Sequence, residues 1–122
     1  MTPSRAAVYE LISCVPRGRL TTYGDVAKVL GSCGLAVGSA CRRNPFYPKV
    51  PCYRILNASG RMGSVSGNAG KKQAFRREQL LRREGVSIKH HRVVGFRTYL
   101  HKFSKKEQHR ALQLKKVLSS RQ

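Results

Sequence analysis

The chain has 122 residues, and its 25 Lys and Arg against five acids give a formal net charge of +20. That length fits one domain with a modest core, no apolar run approaches the roughly 20 residues of a membrane span, and the first residues lack the apolar stretch of a secretory signal. The charge excess calls for a polyanionic partner, and by itself it leaves DNA, RNA and an anionic membrane surface open.

Thr2 as N-cap and Pro3 in the first turn open a helix in which Val8, Leu11, Ile12 and Val15 recur at helical spacing, until Pro16-Arg17-Gly18 ends it. Thr21 or Thr22 caps a second helix running to about Leu30, with Val26, Val29 and Leu30 on its apolar face. Gly31 and Gly34 bracket a tight turn, and residues 35–43 read as a third helix, so the order is that of a helix-turn-helix. Its small residues Ala36, Gly38 and Ala40 have two readings: close helix packing, or close approach of backbone to a nucleic-acid groove while Arg42 and Arg43 hold phosphates. The basic pair favours the second.

Next comes the most distinctive stretch, Asn44-Pro45-Phe46-Tyr47-Pro48-Lys49-Val50-Pro51-Cys52-Tyr53-Arg54-Ile55. The four cysteines, Cys14, Cys33, Cys41 and Cys52, lack the short paired spacings of a zinc site, so they read as thiols with Cys52 the reactive candidate. Residues 55–70 carry many glycines and read as a loop, either a flexible linker or a pocket wall. A basic helix over 74–84 follows, with Phe75, Leu80 and Leu81 apolar and Gly85 as its cap. Glu84 stands where the helix dipole disfavours a carboxylate, so it needs a partner.

Residues 86–88 and 93–99 pair as a small hairpin, and the tail from Lys102 sets Ala111, Leu114 and Leu118 along one helical face. Such a tail is expected to be a solvated basic helix adding nonspecific phosphate contacts. The expected architecture is mainly α with a small β element, a winged-helix-like helix-turn-helix over 1–101 and a basic tail over 102–122.

Thr22-Tyr23-Gly24-Asp25-Val26-Ala27, Ala36-Val37-Gly38 with Ala40, Asn44-Pro45, Pro51-Cys52-Tyr53-Arg54, Ser59-Gly60 with Gly63, Leu80-Leu81 and Glu84-Gly85 occur in that order. Together they resemble the C-terminal domain of the O6-alkylguanine-DNA alkyltransferases, across roughly residues 5–88; the N-terminal domain that many members carry is not expected here. The resemblance implies a protein that binds double-stranded DNA through the minor groove, flips out an alkylated guanine and takes its alkyl group irreversibly onto Cys52. It implies a monomer without cofactor or metal, inside the cell: in the nucleus of a eukaryote, or the cytoplasm and nucleoid of a prokaryote.

By the same resemblance Tyr23 presses the target phosphate, and Thr22, Leu35, Ala36, Gly38, Ala40, Arg42, Arg43 and Arg54 belong to the DNA-binding set. Asn44 orders the turn carrying the cysteine, and Glu84 is the buried acid of its activation network. Tyr23, Cys41, Cys52, Ile55, Met62, Val65, Ser66 and Gly67 frame the base.

Three positions depart from the family pattern. The histidine that follows the cysteine and relays its proton is Tyr53 here, a poor base at neutral pH; Arg54 and the positive field favour the thiolate instead. The intercalating arginine falls at Leu35, which can still wedge into a base stack. The pocket tyrosine that donates to the guanine oxygen falls at Val65, which donates nothing. These losses keep open the alternative of an alkyltransferase-like lesion sensor, although that class lacks the cysteine this chain retains. A purely structural basic nucleic-acid-binding protein would leave the ordered motif unexplained. Cys41 falls where the family has a bulky pocket residue, so it is either a small packing residue or the partner of Cys52 in a reversible disulfide.

Overall fold

The computed structural model describes residues 2–60 and 67–120. Helix α1, Pro3–Ser13, starts where Thr2 accepts a hydrogen bond from the Arg5 amide at 3.2 Å, and it buries Ala7, Val8, Leu11 and Ile12. Strand β1, Thr21–Thr22, leads directly into α2, Tyr23–Leu30, which Thr22 caps through a 3.0 Å hydrogen bond from the Asp25 amide. Gly31 ends α2 in the left-handed conformation at φ 63°, where a glycine carries no Cβ penalty. Helix α3, Gly34–Arg42, follows after two residues and packs on α2, which completes the helix-turn-helix.

A 3-10 turn at Cys52–Arg54 passes into β2, Ile55–Leu56, which pairs in parallel with β1 in the register Thr21 to Ile55 and Thr22 to Leu56. Helix α4, Gly67–Arg83, packs against that turn. It begins seven residues before the expected 74, because Ala69, Lys71, Lys72, Gln73 and Ala74 are helix formers that carry Gly67 and Gly70 along; the glycine-rich stretch up to residue 70 is therefore not all loop. The antiparallel pair β3, Ile88–Lys89, and β4, Arg92–Val93, forms the wing, turning through His90 and His91 at positive φ. Gly60 anchors the preceding loop to it: its carbonyl accepts from the Val93 amide at 3.0 Å, its φ is 79°, and a Cβ there would lie 2.7 Å from the Phe96 ring.

Helix α5, Lys105–Ser120, opens with a reciprocal cap in which Ser104 and Glu107 each bond the other's amide, at 3.1 and 2.8 Å. It lies along α1 with Ala111 fully buried, and Lys115 donates to the Leu30 carbonyl at 3.1 Å. The expectation of a solvated tail is corrected by this packing: the Ala111 stripe finds an apolar partner on α1.

Two apolar clusters result. One joins Ala7, Leu11, Ile12, Val26, Leu30, Val37, Ala40, Cys52, Ile55 and Ala111; the other joins Leu20, Tyr53, Leu56, Leu81, Val86, Ile88 and Val93. The two-residue strand β2 is the seam, since alternation sends Ile55 to the first and Leu56 to the second. No helix among the described residues is long and apolar enough to cross a membrane.

Candidate active site and nucleic-acid interface

Cys52 opens the 3-10 turn and is only 5% exposed. Asn44 ties that turn down: its Nδ2 donates to the Val50 carbonyl at 2.8 Å and to Cys52 Sγ at 3.2 Å, while its Oδ1 accepts from the Phe46 amide at 2.9 Å. One side chain thus fixes both ends of the 44–52 loop and supplies a donor to the sulfur. Cys41, on α3, packs against the same cluster, its thiol beside that of Cys52. The neighbouring Cys41 thiol holds the Cys52 thiol below the usual cysteine range; burial opposes it, and the Asn44 bond and the charge of Arg77 reinforce it. Cys41 is driven the other way, well above that range, first by the same pairing of thiols and then by burial.

The next residues serve a different group. Tyr53 Oη donates to Glu84 Oε2 at 2.7 Å, Arg54 donates from Nε to Oε1 at 3.0 Å and from Nη2 to Oε2 at 2.6 Å, and the Gly18 amide donates to Oε1 at 3.2 Å. Four donors saturate this carboxylate, so although burial would raise its pKa, the bonds from Arg54, Tyr53 and Gly18 hold Glu84 below the ordinary carboxylate value. Tyr53 goes up, first by burial and then by its bond to Glu84, which makes it a firmer acid-form phenol and no base. Glu84 has the partner its helix-end position demands. The network is closed upon itself, and its phenol is committed to the carboxylate.

The implied DNA-facing set divides by exposure. Leu35 is 85% exposed at the start of α3, with Ala36, Arg42 and Arg43 also exposed and Gly38 partly so. Tyr23 begins α2 with its ring edge 3.9 Å from where a Cβ on Gly38 would stand. Three members are corrected. Ala40 faces inward at 1% exposure because it lies on the same side of α3 as Val37, and its carbonyl accepts from Tyr9 Oη at 2.7 Å. Thr22 is buried with its hydroxyl used as the α2 cap. Arg54 is turned inward by Glu84 and by the Val15 carbonyl, 2.8 Å from Nη1, so its charge is compensated and is not offered to phosphate.

Of the base-pocket set, Tyr23, Cys41, Cys52 and Ile55 gather around the thiol's cluster and Gly67 begins α4, whereas Met62, Val65 and Ser66 lie outside the described residues. Two neighbours escaped sequence reading. Tyr9 feels the Cys52 charge and packs edge-on against Phe46 at 6.1 Å. Arg77 acts on Cys52 from α4. Nothing in the run Arg76-Arg77 separates the second arginine from its solvated neighbours. Among the described residues no cluster of His, Cys, Asp and Glu suits a metal ion.

The family model for the DNA-binding domain of 6-O-methylguanine DNA methyltransferase matches residues 3–86, from the start of α1 to just past the end of α4. The chain belongs to that family. Within it, a DNA base-flipping protein of Thermus thermophilus is 40% identical over 72 residues, covering 59% of this chain and 49% of the relative. A methylated-DNA--protein-cysteine methyltransferase of Salmonella typhimurium is 41% identical over 89 residues, covering 71% of this chain and 49% of the relative. The chain therefore spans about half the length of these curated methyltransferase-family relatives. Among solved structures, S. pombe Atl1 in complex with damaged DNA containing O6-carboxymethylguanine superposes with a TM-score of 0.72 at 25% identity, covering 82% of this chain and 95% of that one. The methyltransferase-family fold is thus present together with its helix-turn-helix.

Proposed function

We propose that this protein binds duplex DNA, turns an O6-alkylguanine out of the stack and accepts its alkyl group on Cys52, once per molecule. The observation that carries the reading is the poised thiol: Cys52 accepts a hydrogen bond from Asn44, lies beside Cys41 and is drawn toward its thiolate. Displacement at an alkyl carbon needs that anion. In the step, the sulfur lone pair forms the S–C bond as the C–O6 bond breaks, the electron pair stays on guanine, and guanine takes up a proton from water. The acceptor is left as a thioether, so the protein is consumed.

Minor-groove docking is assigned to the exposed side of α3: Arg42 and Arg43 on phosphates, Leu35 as wedge, and Ala36 and Gly38 allowing close approach. Tyr23 is assigned to the rotated phosphate, and Met62, Val65, Ser66 and Gly67 to the pocket wall with Ile55 and Cys41. The partner class is supported by the net charge of +20 and by relatives whose names and complexes concern alkylated DNA. We assign Cys41 a second role, as the partner of Cys52 in a reversible disulfide.

Lesion binding without transfer is the second reading. It is favoured by the closed Tyr53–Glu84–Arg54 network, which among the described residues commits the Tyr53 phenol to Glu84 and not to the thiol, and by the likeness to nearly the whole of the Atl1 chain. Intact mass decides between the two. After incubation with DNA containing O6-methylguanine, gain of one methyl group by the reduced protein and none by Cys52→Ala establishes transfer; tight lesion binding at unchanged mass establishes the sensor.

A further inference from the structure

Arg77 lies midway along α4, the helix that packs against the Cys52–Arg54 turn. Its Nη1 is buried and, among the described residues, has no hydrogen-bond partner. A buried guanidinium nitrogen without an acceptor is costly, and such a group persists where another state of the site supplies the acceptor. Its charge bears on Cys52, Cys41, Tyr23 and Tyr47 together, groups contributed by α2, α3 and the 44–52 loop, which places the guanidinium within reach of all four. Arg42 bears on Cys41 and Tyr23 and Arg76 on Tyr47, both from exposed positions, whereas Arg54, two residues from the thiol, is neutralised by Glu84.

We propose that Arg77 is the fixed cation of the nucleophile's pocket, a positioning residue whose charge stabilises the Cys52 thiolate in place of a histidine relay. A guanidinium keeps its proton at any working pH, so it acts through charge and an N–H donor, and the thiol proton leaves to water. Among the described residues, the groups that bear on Cys52 fall into distinct kinds. Asn44 donates a hydrogen bond, Cys41 stands beside the sulfur, Tyr9, Tyr23 and Tyr47 stand by as neutral phenols, and Arg77 supplies the charge. This rests on Cys52 being the nucleophile, but its test needs no DNA.

The experiment is carbamidomethylation by iodoacetamide between pH 5 and 10, read on the tryptic peptide Val50–Arg54, which contains Cys52 and no other cysteine. Arg77→Gln is expected to move the reactivity midpoint to higher pH and to slow labelling at pH 7 about tenfold, while Arg77→Lys stays within about threefold of wild type, one decade being one unit of protonation equilibrium. Arg83→Gln, on the exposed end of the same helix, removes the same charge and is expected to leave the profile in place. An unshifted Arg77→Gln profile, or an equal shift in Arg83→Gln, overturns the proposal. If Arg77→Gln does not fold, Arg77→Met, which keeps the apolar stem, carries the same comparison. Failure of methyl transfer with the shift intact would count against the function proposed for Cys52 and not against Arg77.

Discussion

Cys52 and Tyr53 are adjacent in the chain but belong to opposite apolar clusters, Cys52 with Ile55 and the α1–α3 side, Tyr53 with Leu56 and the α4–wing side. The 3-10 turn and the β2 seam that follows impose this divergence, so the residue after Cys52 is directed to Glu84. Replacing a histidine by tyrosine at this position therefore changes more than basicity.

Tyr53→Phe tests that divergence. It removes one hydrogen bond to a charged acceptor, so the expected loss is about 1.5 kcal/mol in urea denaturation, with the pH profile of Cys52 labelling unchanged. A profile displaced as far as that of Asn44→Ala would mean that the phenol does communicate with the thiol.

Glu84 predicts a pH dependence of stability. Its carboxyl is held below the ordinary 4.5, with the Arg54, Tyr53 and Gly18 bonds outweighing burial, so the ionised form stabilises the fold fully above that value. The contribution is lost as pH falls from there through the lower folded value. Glu84→Gln should be about 3 kcal/mol less stable than wild type at pH 7, because it leaves Arg54 buried without its counter-charge, and the gap should narrow in acid. Denaturation at pH 7 and pH 3.5 measures both; a gap that does not change with pH would remove Glu84 as the titrating group.

The exposed face of α3 separates charge from shape. Arg43→Ala should lower the slope of log affinity against log salt by about one, as for a phosphate contact. Leu35→Ala should leave that slope alone and weaken binding to a lesion duplex about fivefold, since an apolar wedge releases no counterions. Fluorescence anisotropy across a salt series reads both, and equal slopes for Arg43→Ala and wild type would take Arg43 off the phosphate backbone.

Cys41 and Cys52 predict a redox response. One equivalent of peroxide should remove two hydrogens from the pair, form the S–S bond and yield two waters, with a mass two units lower, restored by dithiothreitol and absent in Cys41→Ser. Peroxide that instead adds oxygen to Cys52 alike in both proteins would exclude the bridge.

Gly60→Ala should cost about 2 kcal/mol, from left-handed strain at φ 79° together with displacement of Phe96. Thermal unfolding measures it, and a variant as stable as wild type would show that the Phe96 ring yields freely.

Much of this was legible in the residues. Thr22 and Gly31 mark the start and end of α2 because caps are local chemistry, and Gly85 ends α4 for the same reason. The ordered motif singled out Cys52, while the small residues of α3 did not mark its exposed face, since Ala36 is exposed and Ala40 is buried. What could not be read was direction. Whether Arg54 points to phosphate or to Glu84 depends on a carboxylate 30 positions away, and whether Ala40 or Ala36 faces out depends on the rotation of α3 against α1. Arg77 was hidden for a related reason, since a buried cation and a solvated one have the same letter. Glycine content likewise misled, as the residues after Gly70 hold α4 together past the weak positions.

Lys115 places its ammonium on the Leu30 carbonyl, at the end of α2 where the helix dipole is negative. The C-terminal segment thus acts as a buttress for the helix-turn-helix, packing on α1 through Ala111 and holding the end of α2 through Lys115. Cutting the chain before residue 105 would uncover the α1 face and free the end of α2 at Gly31, so most of the protein's positive charge would remain while the fixed placement of α3 was lost.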